Sequence, residues 1–173
     1  YNKRNRLVCR QPLEYKMNRK NYLYLLLIIV SAFFVSCNEN TIFSEYTTVD
    51  NGVWAKDRSF AFNVEVSDTT ALYEIDLLVR NTDIFPRQNL WLRITKEYRG
   101  QEIQCDTVNL FLLDESGKWT GSGSGTCFDN QFVWKRHIRF YKQGSYIFRI
   151  AHLMRFDVLE GIDRIGLAVV KEK

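Results

Sequence analysis

Ser59-Phe60-Ala61-Phe62-Asn63-Val64-Glu65-Val66 decides the fold class of this chain. Phe60, Phe62, Val64 and Val66 alternate with Ser59, Ala61, Asn63 and Glu65. Successive side chains of a strand point to opposite faces, so this is a strand with one apolar and one polar side. Ser67-Asp68-Thr69-Thr70 then supplies a turn. The next run repeats the pattern, with Tyr73, Ile75, Leu77 and Val79 on one face and Glu74, Asp76 and Arg80 on the other.

The same reading extends to the C-terminus. Residues 81–89 form a loop around Pro86, after which Leu90, Leu92 and Ile94 alternate with Trp91, Arg93 and Thr95. Arg99-Gly100-Gln101 is a short hairpin connection into a strand through Ile103, Cys105, Val108, Leu110 and Leu112. Its phase slips between Thr107 and Val108, which reads as a bulge or a change of sheet. Asp114-Glu115-Ser116-Gly117 turns, and a strand through Phe132, Trp134 and Ile138 follows. Tyr146, Phe148, Ile150 and His152 share one face of the next strand, and Gly161 leads into a last one over residues 162–170. No stretch carries a helical period of ten residues. Seven to nine short strands joined by turns predict an all-β fold, an antiparallel β-sandwich of jelly-roll or related Greek-key type, over residues 51–173.

Upstream, residues 17–37 read differently. Arg19 and Lys20 precede an apolar run over residues 22–35, closed by Ser36 and Cys37. A helix of that length reaches about 21 Å against a hydrocarbon core of about 30 Å, so a cleaved signal fits better than a span. Polar Asn38-Glu39-Asn40-Thr41 follows without the positive flank of a cytoplasmic boundary. Phe34-Val35-Ser36-Cys37 resembles a lipobox, with residues 17–36 as signal peptide and Cys37 as the lipidated first residue of the mature chain. Residues 1–16 are read as an over-extended start before Met17, and residues 37–50 as a lipidated tether that docks on the domain through Ile42, Phe43 and Tyr46.

Charge must be counted after that cleavage. The whole chain is +4, but Lys3, Arg4, Arg6, Arg10, Lys16, Arg19 and Lys20 leave with only Glu14. Seventeen basic and nineteen acidic residues remain, about −2, which argues against a nucleic-acid partner. Of the four cysteines, Cys9 falls in the leader and Cys37 takes the lipid. Cys105 and Cys127 remain. A disulfide between them would close a loop of about 22 residues and contribute about 3 kcal/mol, and the alternative is two separate buried thiols.

Several features then fall in one order: the lipobox; Asn51-Gly52 with Trp54; Pro86 with Asn89-Leu90; Gly117-Lys118-Trp119 with Gly121. Gly144 and Tyr146, His152 with Met154-Arg155, and a closing Gly161-Ile162-Asp163-Arg164-Ile165-Gly166 complete the series. From residue 17 onward the chain resembles the gliding-motility lipoprotein family GldH of Bacteroidota. The resemblance implies a lipoprotein anchored to the inner or outer membrane, with its domain extracytoplasmic, in the periplasm. It also implies a non-enzymatic accessory or structural role in the gliding machinery linked to type IX secretion, with other envelope proteins of that machinery as partners. Only Cys37 carries over as a functional position; Cys105 and Cys127 lie outside the family pattern.

No residue pattern points to a reaction, a cofactor or a metal. Gly121-Ser122-Gly123-Ser124-Gly125 lacks the following Lys-Ser or Lys-Thr of a phosphate loop and has Gly123 where a nucleophile elbow needs serine. It reads as a flexible or bulged segment. His152 reads as a buried, hydrogen-bonded residue beside Arg155, and His137 as surface. Lys135, Arg136 and Arg139 form a basic cluster that suits anionic lipid heads, an acidic partner, or the guarding of a strand edge. Trp54, Trp91, Trp119 and Trp134 support an alternative function, a glycan-binding envelope lipoprotein, if Trp91 and Trp119 stand exposed in a coplanar row.

Overall fold

The computed structural model describes residues 40–123 and 125–172; the leader, the signal peptide and Cys37 lie outside the described residues. Ten strands follow one another: β1 (Thr41–Thr48), β2 (Val53–Ala55), β3 (Phe60–Val66), β4 (Tyr73–Thr82), β5 (Asn89–Tyr98), β6 (Gln101–Phe111), β7 (Cys127–Ile138), β8 (Gly144–His152), β9 (Val158–Glu160) and β10 (Ile162–Lys171). One 3-10 turn, Asp50–Gly52, is the only helical element among the described residues.

Every strand bonds antiparallel to its mirror in the chain order: β1 to β10, β2 to β9, β3 to β8, β4 to β7 and β5 to β6. The domain is therefore one long antiparallel ribbon. Its closed end is the Arg99-Gly100 turn, where both residues have positive φ (51° and 76°), the requirement of the tight hairpin turn whose twist matches the strands. Rolling the ribbon adds two pairings, β10 with β4 and β8 with β5. The product is two four-stranded sheets, β1-β10-β4-β7 and β3-β8-β5-β6, beside the small β2-β9 pair. This is the jelly roll the strand pattern predicts.

The alternating residues meet between the sheets. Phe60, Phe62, Val64 and Val66 of β3 face inward with Leu90, Leu92 and Ile94 of β5 and Tyr146, Phe148 and Ile150 of β8. Ile75, Leu77 and Val79 of β4 and Ile165, Leu167 and Val169 of β10 close the core from the other sheet. All of these lie in one hydrophobic cluster, so residues 40–172 hold a complete core of their own.

Four local expectations are corrected. The stretch read as a tether is largely a strand, since β1 is an edge of the first sheet and Phe43 packs on Phe62 with ring centroids 6.5 Å apart. The β6 irregularity falls at the β5 positions Lys96/Glu97, opposite Gln104 and Glu102, and not between Thr107 and Val108. Cys105 does not share the inward face with Val108 and Leu110: it is exposed, and Asp106 takes the inward phase to meet Lys135. Asp76 does not face solvent: its neighbours Ala168 on β10 and Val133 on β7 cover it to 1 % exposure, and Oδ2 accepts a 2.7 Å bond from Gln131.

Two core details yield measurable expectations. Gly166 on β10 lies under Tyr46, and a Cβ there would sit 2.5 Å from the Glu45 carbonyl oxygen and 3.2 Å from Leu78. The Glu45 carbonyl is backbone, so Gly166→Ala must push β1 outward. We expect a loss of about 1–3 kcal/mol in denaturant unfolding, with amide protection lost first in β1. His152 is 1 % exposed, and its Nε2 donates to the Trp54 carbonyl at 3.2 Å while Nδ1 has no partner. Burial, aided by nearby Lys56, pushes its pKa below the usual histidine value. The unfolded chain then takes a proton that the folded one refuses. Stability contributed by neutral His152 is complete above about pH 6.5 and is lost as pH falls below it. His152→Gln should flatten the decline in unfolding midpoint between about pH 7 and pH 5.

Candidate functional site

The roll has two dissimilar ends. At one, the chain enters at Asn40, whose carbonyl accepts a 2.7 Å bond from Lys171. The β3–β4 link, the Arg99-Gly100 turn and the β7–β8 link gather at this same end. Gln143 of the last donates to the Ser67 carbonyl at 2.7 Å, and the Tyr98 hydroxyl donates to the Gln143 carbonyl at 3.0 Å. Because three peptide units join Cys37 to Asn40, we call this the entry end. The loops β4–β5, β6–β7 and β8–β9 lie at the far end.

Charge at the entry end divides into paired and unpaired groups. Lys171 contacts Asp68 at 2.6 Å and Lys135 contacts Asp106 at 2.7 Å, which holds both carboxyls below the usual carboxylate range. Arg136 contacts Glu74 and His137 contacts Glu172, each at 2.6 Å. Of the basic cluster expected from the sequence, Lys135 and Arg136 are thus engaged in ion pairs across strands, whereas Arg139 has no ion pair among the described residues. Lys96 and Lys142 line one depression with Arg139 and, like Arg99 on the β5–β6 turn, have no ion pair among the described residues. Tyr141 is 89 % exposed and Ile103 51 %. Lys96 escaped sequence reading although its signal was present: it continues the inward phase of Leu92 and Ile94.

The far end holds an open groove of about 630 Å³ lined by Arg87, Trp91, Leu153, Met154, Arg155 and Phe156. Trp91 points outward as its strand phase predicts, at 42 % exposure, and its backbone N–H donates to the Met154 sulfur at 3.4 Å. The Arg87 guanidinium sits 4.9 Å from the centre of the Phe156 ring, a cation–π distance. The coplanar row of tryptophans does not form. Trp119 is half-buried and stacked on Phe128 at 5.3 Å, Trp134 packs edge-on against Phe148, and Trp54 is fully buried edge-on to Phe60 and His152.

Cys105 and Cys127 are free thiols. Cys105 lies on β6 opposite Thr95 in one sheet and Cys127 on β7 opposite Thr82 in the other, so the expected bridge is not made. The glycine-rich loop works as backbone geometry. Ser122 exchanges backbone bonds of 2.9 and 2.7 Å with Asp129, and a side chain on Gly121 or Gly123 would collide with β7. Arg80 grips Asp129 through two bonds of 2.6 and 2.7 Å on the outer sheet face, which lowers the Asp129 pKa. No group of three or more metal-ligating side chains occurs among the described residues.

Comparison with known proteins agrees with the motif order. The chain is 24 % identical over 160 residues to the gliding motility lipoprotein GldH homolog of Christiangramia forsetii, and 27 % identical over 160 residues to the gliding motility lipoprotein GldH of Flavobacterium johnsoniae. Each match covers 88 % of this chain and 98 % of the relative. Among solved structures, TmCBM61 in complex with β-1,4-galactotriose aligns at 12 % identity and a TM-score of 0.31, over 75 % of this chain and 82 % of that one. A structure of infectious bursal disease virus aligns at 13 % identity and a TM-score of 0.29, over 75 % of this chain and 32 % of that one. Scores of this size carry no argument about the site. The GldH lipoprotein model, by contrast, matches residues 41–169, from the first strand to the last. This chain belongs to the GldH lipoprotein family.

Proposed function

We propose that acyl chains on Cys37 hold the jelly roll at an envelope membrane, where it serves as a non-enzymatic accessory part of the gliding machinery linked to type IX secretion. The observation that carries this reading is the family match over residues 41–169 together with relatives that are both named gliding motility lipoproteins. A match covering 88 % of the chain is longer than residues 41–173, so it includes residues before the first strand, which supports this reading. The mechanism is confinement. Several acyl chains on one residue keep the domain near the bilayer, because each buried methylene contributes about 0.8 kcal/mol, and confinement raises its effective concentration for partners in the periplasm.

Cys37→Ser should move the folded domain from the membrane to the soluble fraction of the envelope and stop any gliding that depends on it. Intact-mass measurement of the wild-type protein should show the leader gone and acyl mass on Cys37. A substituted protein that stays with the membrane would count against the anchor.

A second reading, glycan binding, is favoured by the far-end groove, which exposed Trp91 lines together with Arg87 and Arg155. An aromatic floor with two guanidinium groups suits a sugar carrying a carboxylate. Trp91→Ala should then lower retention on uronate-containing glycans by roughly tenfold, and equal retention of both proteins would remove the reading.

A further inference from the structure

The entry end carries a feature that tethering alone does not require. A depression of about 210 Å³ opens between the β5–β6 turn and the β7–β8 link, lined by Lys96, Tyr98, Ile103, Arg139, Tyr141 and Lys142 among others. Three cations, Lys96, Arg139 and Lys142, line it, and Arg99 stands next to it on the β5–β6 turn against the Tyr98 ring. The Tyr98 ring lies between Arg99 at 5.3 Å and Lys142 at 5.7 Å from its centre, and Lys96 approaches the Phe140 ring at 5.6 Å. None of Lys96, Arg99, Arg139 and Lys142 has a carboxylate within ion-pair distance among the described residues, and the exposed acids nearby are Glu65 and Glu102. Lys96 is partly buried, which lowers its pKa, with Lys135 adding repulsion. The mature chain as a whole is about −2, so this end runs against the sign of the molecule.

Apolar tips accompany the charge. Tyr141 and Ile103 project here with 89 % and 51 % exposure. Cations around exposed aromatic and aliphatic side chains are the composition of surfaces that rest in the boundary between lipid head groups and chains. Position names the occupant. Asn40 begins the described chain at this end, and Cys37 is three residues before it, a reach of at most about 11 Å. A bilayer holding the Cys37 acyl chains would therefore lie close to this end.

From this juxtaposition we infer that the entry end is a second membrane contact, in which Arg99, Arg139 and Lys142 meet anionic phospholipid head groups and Tyr141 and Ile103 enter the interface. The inference rests on the Cys37 reading for its geometry but not for its chemistry. The contact orients more than it holds. With the anchor a few residues away, the local lipid concentration is high and a weak surface interaction suffices to choose one orientation. Strands of ten residues, about 33 Å long, then carry the Trp91 groove to the side facing away from the bilayer.

The test uses residues 39–173, which hold the whole core and lack Cys37, so acylation cannot contribute. Co-sedimentation at low ionic strength compares phosphatidylcholine vesicles with vesicles containing phosphatidylglycerol. The fragment should sediment with the anionic vesicles, release as salt rises, and ignore the neutral ones. Arg139→Ser and Lys142→Ser should each weaken binding about fivefold, whereas Lys118→Ser at the far end removes the same charge and should leave it unchanged. Tyr141→Ser should weaken binding without altering its salt dependence. No binding to anionic vesicles, equal binding to both kinds, or equal loss with Lys118→Ser overturns the inference. Each of those results leaves the Cys37→Ser fractionation outcome untouched, so the two readings fail separately.

Discussion

Mirror-image strand pairing about Arg99-Gly100 governs everything else in this domain. Because β5 bonds to β6, β4 to β7, β3 to β8, β2 to β9 and β1 to β10, the last pair can form only when all the inner pairs are in register. A slip of one residue anywhere along the ribbon would turn inward residues such as Phe62, Leu92 and Leu167 to solvent, since strand side chains alternate. The hydrophobic core therefore fixes the register, and the register fixes which loops share an end. The basic entry end and the aromatic far end are consequences of that rule.

The strands were legible because β3, β5 and β8 carry one apolar face each and the alternation is undisturbed there. Reading failed where a polar residue sits in the inward phase. Asp106 faces Lys135 across the open edge between β6 and β7, so counting apolar residues placed the slip at Thr107 and turned Cys105 the wrong way. It failed again at Asp76, whose burial comes from neighbours on two other strands that no local pattern contains. The site was less legible than the fold. The Lys135-Arg136-Arg139 cluster is visible in sequence, but only the structure separates the two engaged cations from the free one and adds Lys96, Arg99 and Lys142 from other segments.

The buried polar groups serve structure. His152 ties β8 to the Trp54 carbonyl and holds that indole edge-on, Asn130 bonds to Asn81 at 2.9 Å and Thr120 at 2.9 Å, and Asp76 accepts from Gln131. These are ties between strands distant in sequence, placed where a rolled ribbon would otherwise be free to slide. They account for the polar side chains that a sandwich core would normally exclude.

β1 is the first strand of the domain, and it runs antiparallel to β10 with seven registered pairs from Thr41↔Val170 to Thr48↔Arg164. A pull on Asn40 directed along the axis of this strand, away from the domain, would load it lengthwise. Force in that direction stretches the whole β1–β10 ladder at once in shear, whereas a pull across the strand would peel its bonds one after another. Lengthwise loading is the mechanically resistant direction of a β-sheet, and Gly166 lets Tyr46 seat closely beside the seam. Under the anchoring proposed above, that geometry would resist traction along the strand without needing a larger interface.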